Sequence, residues 1–174
     1  TAQAYGDSEI RLKSLLQPNS QVITKIGVST GEPFGPGDVK GAVYKSLEYL
    51  NRDTLTGVLF HRPEIFAGPY GYKFASGLLK LKEMGIVKKV GVSIYGPEIL
   101  EDVLKVFQPD IVQVPFNIFD QRIVQTGWVE RLKSNGTEIH TRSTFLQGLL
   151  LMKDDQVPNK FRQKWKELFD LWFQ

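Results

Sequence analysis

Five short runs rich in Val, Ile, Thr and Phe recur along the chain, at residues 21–27, 55–61, 89–94, 110–117 and 137–144. Each has the length and composition of a β-strand. Between them, apolar residues fall at helical spacing: Val39, Val43, Leu47 and Leu50; Phe74, Leu78 and Leu81; Ile99, Val103 and Phe107; Val124, Trp128 and Leu132. That period predicts one crossover helix after each of the first four strands. Gly85 and the Asn135-Gly136 pair follow two of these helices, where a left-handed residue ends a helix at least cost. Residues 8–17 predict a further helix before the first strand. Phe161, Trp165, Leu168, Phe169 and Trp172 predict one near the carboxyl end. Residues 31–37 (GEPFGPG) and 67–72 (AGPYGY) read as loops.

Strands alternating with helices imply a parallel sheet, either open or closed into a barrel. Alternation along each strand decides between them. One face carries Val22, Ile26, Val58, Phe60, Val90, Val92, Ile94, Val112, Val114 and Phe116, which suits an outer layer of helices. The other carries Lys25, His61, Ser93, Gln113, Asn117 and Arg142, all at or near carboxyl ends of strands. An open sheet covered on both sides would be apolar on both faces. The predicted fold class is therefore α/β, a parallel (β/α)8 barrel of the TIM type, whose sites gather at the carboxyl-terminal mouth. Such a barrel takes about 250 residues, so 174 residues with five strands predict a partial barrel, a piece of something longer. No linker divides the chain, and residues 1–174 are expected to form a single incomplete domain.

Composition narrows the chemistry. Without cysteine, this chain has no disulfide, thiolate metal site or cysteine nucleophile, and two histidines are weak grounds for a metal. The net charge of +3 comes from 22 basic and 19 acidic residues spread along the length, which disfavours a nucleic-acid partner. No apolar run approaches the roughly 20 residues of a membrane helix, and no charged-then-apolar leader opens the sequence. A soluble protein with no membrane partner, in a cytoplasmic setting, is expected; its oligomeric state is left open. Neither G-x-G-x-x-G nor G-x-x-x-x-G-K-[ST] is present. His140, on the inward face, reads as a hydrogen-bonded interior histidine.

Six segments in order carry a resemblance. AQAYGDSE, VITKIG, LFHRPE, LKEMGIVKKVGVS, VQVPFN and HTRSTFLQGLL, together spanning residues 2–150, resemble the tyrosine, lysine, histidine, serine, glutamine and cofactor-loop motifs of the aldo-keto reductases, bacterial members in particular. The resemblance implies the eight-stranded barrel and a nicotinamide cofactor, NADPH in preference to NADH, with a small carbonyl compound as substrate. It implies Tyr5, Lys25 and His61 as catalytic residues, and Ser93, Gln113, Arg142 and Ser143 as cofactor-binding ones. Three departures stand out. The motif's aspartate, five residues before the tyrosine, would fall just ahead of Thr1. The strand and helices that hold the adenosine 2'-phosphate in the family have no counterpart, so the isolated segment is expected to be a feeble reductase that distinguishes NADPH from NADH poorly. Arg142 stands where many members stack an aromatic ring on the nicotinamide; it either stacks through its planar guanidinium or pairs with a carboxylate.

The residue types suit this chemistry. Reducing a carbonyl leaves negative charge on oxygen, which needs an acid and fixed donors. A tyrosine serves as that acid when a cation such as Lys25 lowers its pKa from about 10, while His61 orients the carbonyl. Ser93 and Gln113 can both donate and accept, as a carboxamide requires. Asn117 reads either as a substrate contact or, in preference, as a structural hydrogen-bonding residue at a strand end. Two rival functions stand beside reduction: a cofactor-binding or regulatory barrel without useful turnover, and an isomerase or aldolase using Lys25 as a Schiff-base amine.

Overall fold

The computed structural model describes residues 1–27 and 33–172; Gly31 and Glu32 of the expected loop at 31–37 lie outside the described residues. Five strands, β1 (Ile23–Ile26), β2 (Leu55–Phe60), β3 (Val87–Ser93), β4 (Ile111–Pro115) and β5 (Glu138–Arg142), form one sheet in sequential order, every pair parallel. Helices α1 (Ser8–Leu12), α2 (Asp38–Leu50), α3 (Gly71–Glu83), α4 (Leu100–Val106), α5 (Arg122–Gln125) and α6 (Trp128–Ser134) surround it. Sequential parallel order with a helix between neighbours is the architecture of a barrel wall. Here it is five strands of a partial barrel.

The predicted helical stripes are what pack the outer face. Val39, Val43, Leu47 and Leu50 of α2 and Phe74, Leu78 and Leu81 of α3 are buried with Val58, Phe60, Val90, Val92, Val112 and Val114 in one core. Backbone chemistry ends these helices on schedule. Asn51, left-handed at φ 53°, closes α2, and Arg52 N–H donates to Leu47 O at 2.9 Å. Gly85 and Gly136, at φ 74° and 75°, let Ile86 and Thr137 turn back to Leu81 O and Leu132 O, both at 3.0 Å.

The inner face closes on small residues. A Cβ added to Gly57 would come within 3.2 Å of Ile23 and Ile111, and one added to Gly91 would overlap the Ile111 carbonyl outright. β3 and β4 therefore approach as closely as they do because residue 91 has no side chain. The open edge of β1 is partly covered as well: Thr1 N donates to Ile23 O at 2.9 Å and Gln3 N–H to Lys25 O at 3.2 Å, so the first residues run beside β1.

Four expectations are corrected. The single helix expected over Val124, Trp128 and Leu132 is two, α5 and α6, parted at Gly127 (φ 73°), and Val124 is exposed. The helix expected over residues 8–17 stops at Leu12 and continues only as turns, with Ser20 Oγ taking the Gln17 N–H at 3.0 Å where Pro18 bars further helix. The carboxyl-terminal stripe is broken at Trp165 (φ −129°, ψ 40°) into α7 (Asn159–Lys164) and α8 (Lys166–Trp172). His140 is not an interior residue; it is half-exposed and its Nε2 lies 3.4 Å from Glu138.

Two glycines give opposite expectations. Gly91→Ala should cost about 3 kcal/mol through overpacking against backbone. Gly41→Ala, in the middle of α2 with nothing within 4 Å of the added carbon, should stabilise by about 0.5–1 kcal/mol. Denaturant midpoints of the two variants check both signs.

Candidate active site

Inward residues at the carboxyl ends of the strands meet at one mouth. Lys25 is the third residue of β1, His61 follows β2, Ser93 ends β3, Gln113 is central in β4, and Arg142 ends β5. Ser93 and Gln113 are paired across β3 and β4, and Pro115 with Arg142 across β4 and β5. Gln113 Oε1 accepts from Lys25 Nζ at 3.2 Å and from Ser93 Oγ at 3.3 Å. One amide thus ties three strands together.

Tyr5 reaches this mouth from the turn before α1. Its ring meets His61 edge-on, centroids 5.6 Å apart, and Lys25 Nζ stands 5.1 Å from the ring centre. The ammonium faces the ring rather than hydrogen-bonding the phenol, and Tyr5 is 51% exposed. Beneath it lies a group that sequence reasoning missed. Glu9 is 2% exposed and accepts from the hydroxyls of Thr24 and Ser46, the latter at 3.0 Å, while Gln3 Nε2 donates to Ser46 Oγ at 2.9 Å. This network fastens the Tyr5 turn to β1 and α2. In sequence, the Ser8-Glu9 pair reads only as a helix start; nothing local says that the carboxylate turns inward.

Arg142 settles its two earlier readings in part. It pairs with no carboxylate among the described residues. Instead its guanidinium lies over the Tyr95 ring, 4.5 Å from the centre, and donates to Ile94 O at 2.9 Å and Ser143 Oγ at 3.3 Å. Tyr95 is the second residue that sequence reasoning passed over. Ser143 sits at φ 56°, directing the chain into the following turn. Asn117 makes the hydrogen bonds of its structural reading: Oδ1 accepts from Phe119 and Asp120 N–H at 2.9 and 3.1 Å, and Nδ2 donates to Ser143 O at 3.3 Å.

The electrostatics are cationic. Burial, and then the nearby Arg142 charge, push the Lys25 pKa down. Burial, followed by Lys25, Arg142 and Arg62, does the same to His61, so its imidazole is neutral near pH 7. His61 Nδ1 is buried without a partner among the described residues. A cleft of about 700 Å³ opens beside it, lined by Ala4, His61, Arg62, Glu64, Ile65 and Tyr95. A second, apolar cavity of about 430 Å³ lies between Asn117, Ser143, Leu149 and Trp165. The donor set fits a nicotinamide: Gln113 Nε2 has no partner among the described residues, leaving an N–H to donate beside a hydroxyl that can accept.

The aldo/keto reductase family model matches residues 1–172. The chain belongs to the aldo-keto reductase family. An aldo-keto reductase of Mycolicibacterium vanbaalenii is 32% identical over 126 residues, covering 66% of this chain and 42% of that protein. The glycerol dehydrogenase of Gluconobacter oxydans superimposes with a TM-score of 0.79 at 24% identity, over 99% of this chain and 59% of its own. A variant of the protein Gox0644, solved in complex with NADPH, superimposes at 0.70 with 23% identity, over 94% and 58%. At that identity these structures show the shared barrel fold. The chain spans about half the length of the aldo-keto reductases it matches. No helix among the described residues is long and apolar enough to cross a membrane.

The depressed His61 pKa has a measurable sign. Between the folded value and the ordinary 6.5, the unfolded chain binds a proton that the folded one refuses, so this group lowers stability as pH falls through that window. In a pH titration followed by imidazole NMR, His61 should titrate below 6.5, and Arg142→Gln should move it upward. Titration of His61 at or above 6.5 in the unsubstituted protein would contradict the cationic mouth.

Proposed function

We propose that this protein reduces an aldehyde or ketone to an alcohol with NAD(P)H, NADPH being preferred, in a soluble cytoplasmic setting and without a metal. The observation that supports this most is the grouping of Tyr5, Lys25 and His61 beside the Ser93–Gln113 pair. When bound, the reduced nicotinamide supplies the hydride. Ser93 and Gln113 would hold its carboxamide, one accepting and one donating, and Ser143 would contact the cofactor as well. His61, neutral, donates from Nε2 to the carbonyl oxygen and orients it. Tyr5 gives its phenolic proton to that oxygen as charge builds there. Lys25, held by Gln113 against the Tyr5 ring, is the cation that favours tyrosinate afterwards. The substrate is a small carbonyl compound entering through the cleft at His61, Arg62 and Tyr95.

A second reading, a cofactor-binding barrel without turnover, is favoured by one feature: Lys25 faces the Tyr5 ring and not its hydroxyl. A single substitution separates the two. Tyr5→Phe removes only the acidic hydroxyl, so it should lower kcat for carbonyl reduction by orders of magnitude while NADPH affinity changes little. NADPH oxidation across a panel of aldehydes, with and without the substitution, is the assay. Unaltered kcat in Y5F would remove Tyr5 as proton donor; NADPH binding with no turnover of any carbonyl would favour the second reading.

A further inference from the structure

We propose that Arg142 sets the redox preference of this site, its guanidinium acting as a fixed positive charge that favours the neutral, reduced nicotinamide over the cationic, oxidised one. The inference rests on the reading of Ser93 and Gln113 as the carboxamide grip.

The position of the charge follows from the sheet. Arg142 is the last residue of β5, yet its Nη2 bonds Ile94 O, the carbonyl directly after Ser93 at the end of β3. The side chain therefore crosses the end of β4, passing the strand that carries Gln113. A planar group held by Ser93 and Gln113 would lie against it.

The guanidinium is also held still. Tyr95 forms its floor, and the Tyr95 carbonyl is itself bound by Arg122 Nη2 at 2.7 Å. Ser143 Oγ takes a third contact.

Among the described residues no carboxylate forms an ion pair with Arg142; Asp120 feels its charge, which helps lower the Asp120 pKa, but that carboxylate is already paired elsewhere. The two acids nearest this corner, Asp120 and Glu98, are engaged by Arg122, at 2.9 and 3.4 Å. Glu64 lines the cleft on the far side of His61, beside Arg62. Besides Asp120, the charge is felt by Lys25 and His61, whose pKa values it helps to depress. A ligand that is itself cationic meets the same repulsion. Like charges a few ångströms apart at an effective dielectric of about 20 repel by more than the 1.4 kcal/mol that makes a factor of ten. Exposure at the mouth trims this, and about tenfold is the expected discrimination.

The test is the ratio of Kd for NADP+ to Kd for NADPH, measured by titrating each nucleotide into the protein and following tryptophan fluorescence or heat. The two ligands share every group except the charged ring, so a general loss of affinity or of folded protein cancels in the ratio. The unsubstituted protein should favour NADPH by about tenfold. R142Q and R142M should bring the ratio close to one, and R142K, which keeps the charge without the fork, should retain most of it. Raising the salt concentration should shrink the ratio in the unsubstituted protein and in R142K, and leave that of R142Q and R142M unchanged. A ratio near one before substitution, or one that R142Q leaves unchanged, or one that R142K abolishes as fully as R142Q, would overturn the inference while the carboxamide site stood. Absence of binding by either nucleotide would overturn the carboxamide reading itself, and the inference with it.

Discussion

The site exists only while the strands stay in register. With parallel strands, residues two apart share a face, and a slip of one residue would turn Lys25, Ser93 and Gln113 toward the helices and send Ile26, Val92 and Val112 inward. Burial of that valine-rich face against α2, α3 and α4 is what forbids the slip. The same register brings Gly91 against Ile111, a contact that only glycine permits, and so sets Ser93 beside Gln113. Core packing and site geometry are thus one constraint seen from the two faces of the sheet.

The mouth then combines two opposed requirements. Its walls are apolar, with Leu59 and Ile111 fully buried behind the polar residues, and its rim gathers Lys25, Arg62 and Arg142. Desolvated cations are costly unless hydrogen-bonded. Gln113 serves Lys25, and the Ile94 carbonyl, Ser143 and the Tyr95 ring serve Arg142. Burial, and after it the excess positive charge, favours the neutral form of His61, in which one ring nitrogen donates while the other does not.

Much of this was legible before any coordinates. The two-residue alternation in β2, β3 and β4 is strong enough to assign faces, and the polar members of the inward face, Lys25, His61, Ser93 and Gln113, are conspicuous among valines. Parity also placed Arg142 inward. What it rests on was out of reach, because the partner carbonyl of Ile94 is 48 residues away in sequence and belongs to a backbone group that every residue has. Glu9 was hidden for the same reason: its partners Thr24 and Ser46 come from two other elements, and an acid at a helix start is the ordinary solvent-facing case. The end of α1 and the break at Trp165 show the remaining limit. Apolar period reports which side of a helix is buried, and it runs unchanged through one residue with non-helical dihedrals.

The chemistry of this mouth turns on one placement, a nicotinamide carboxamide against Ser93 of β3 and Gln113 of β4. A crystal structure of the protein with NADPH measures it directly. The carboxamide should lie within hydrogen-bond distance of Ser93 Oγ and Gln113 Nε2, with the ring between Tyr5 and the Arg142 guanidinium. A nicotinamide bound elsewhere, with Gln113 still engaged only by Lys25 and Ser93, would contradict the account.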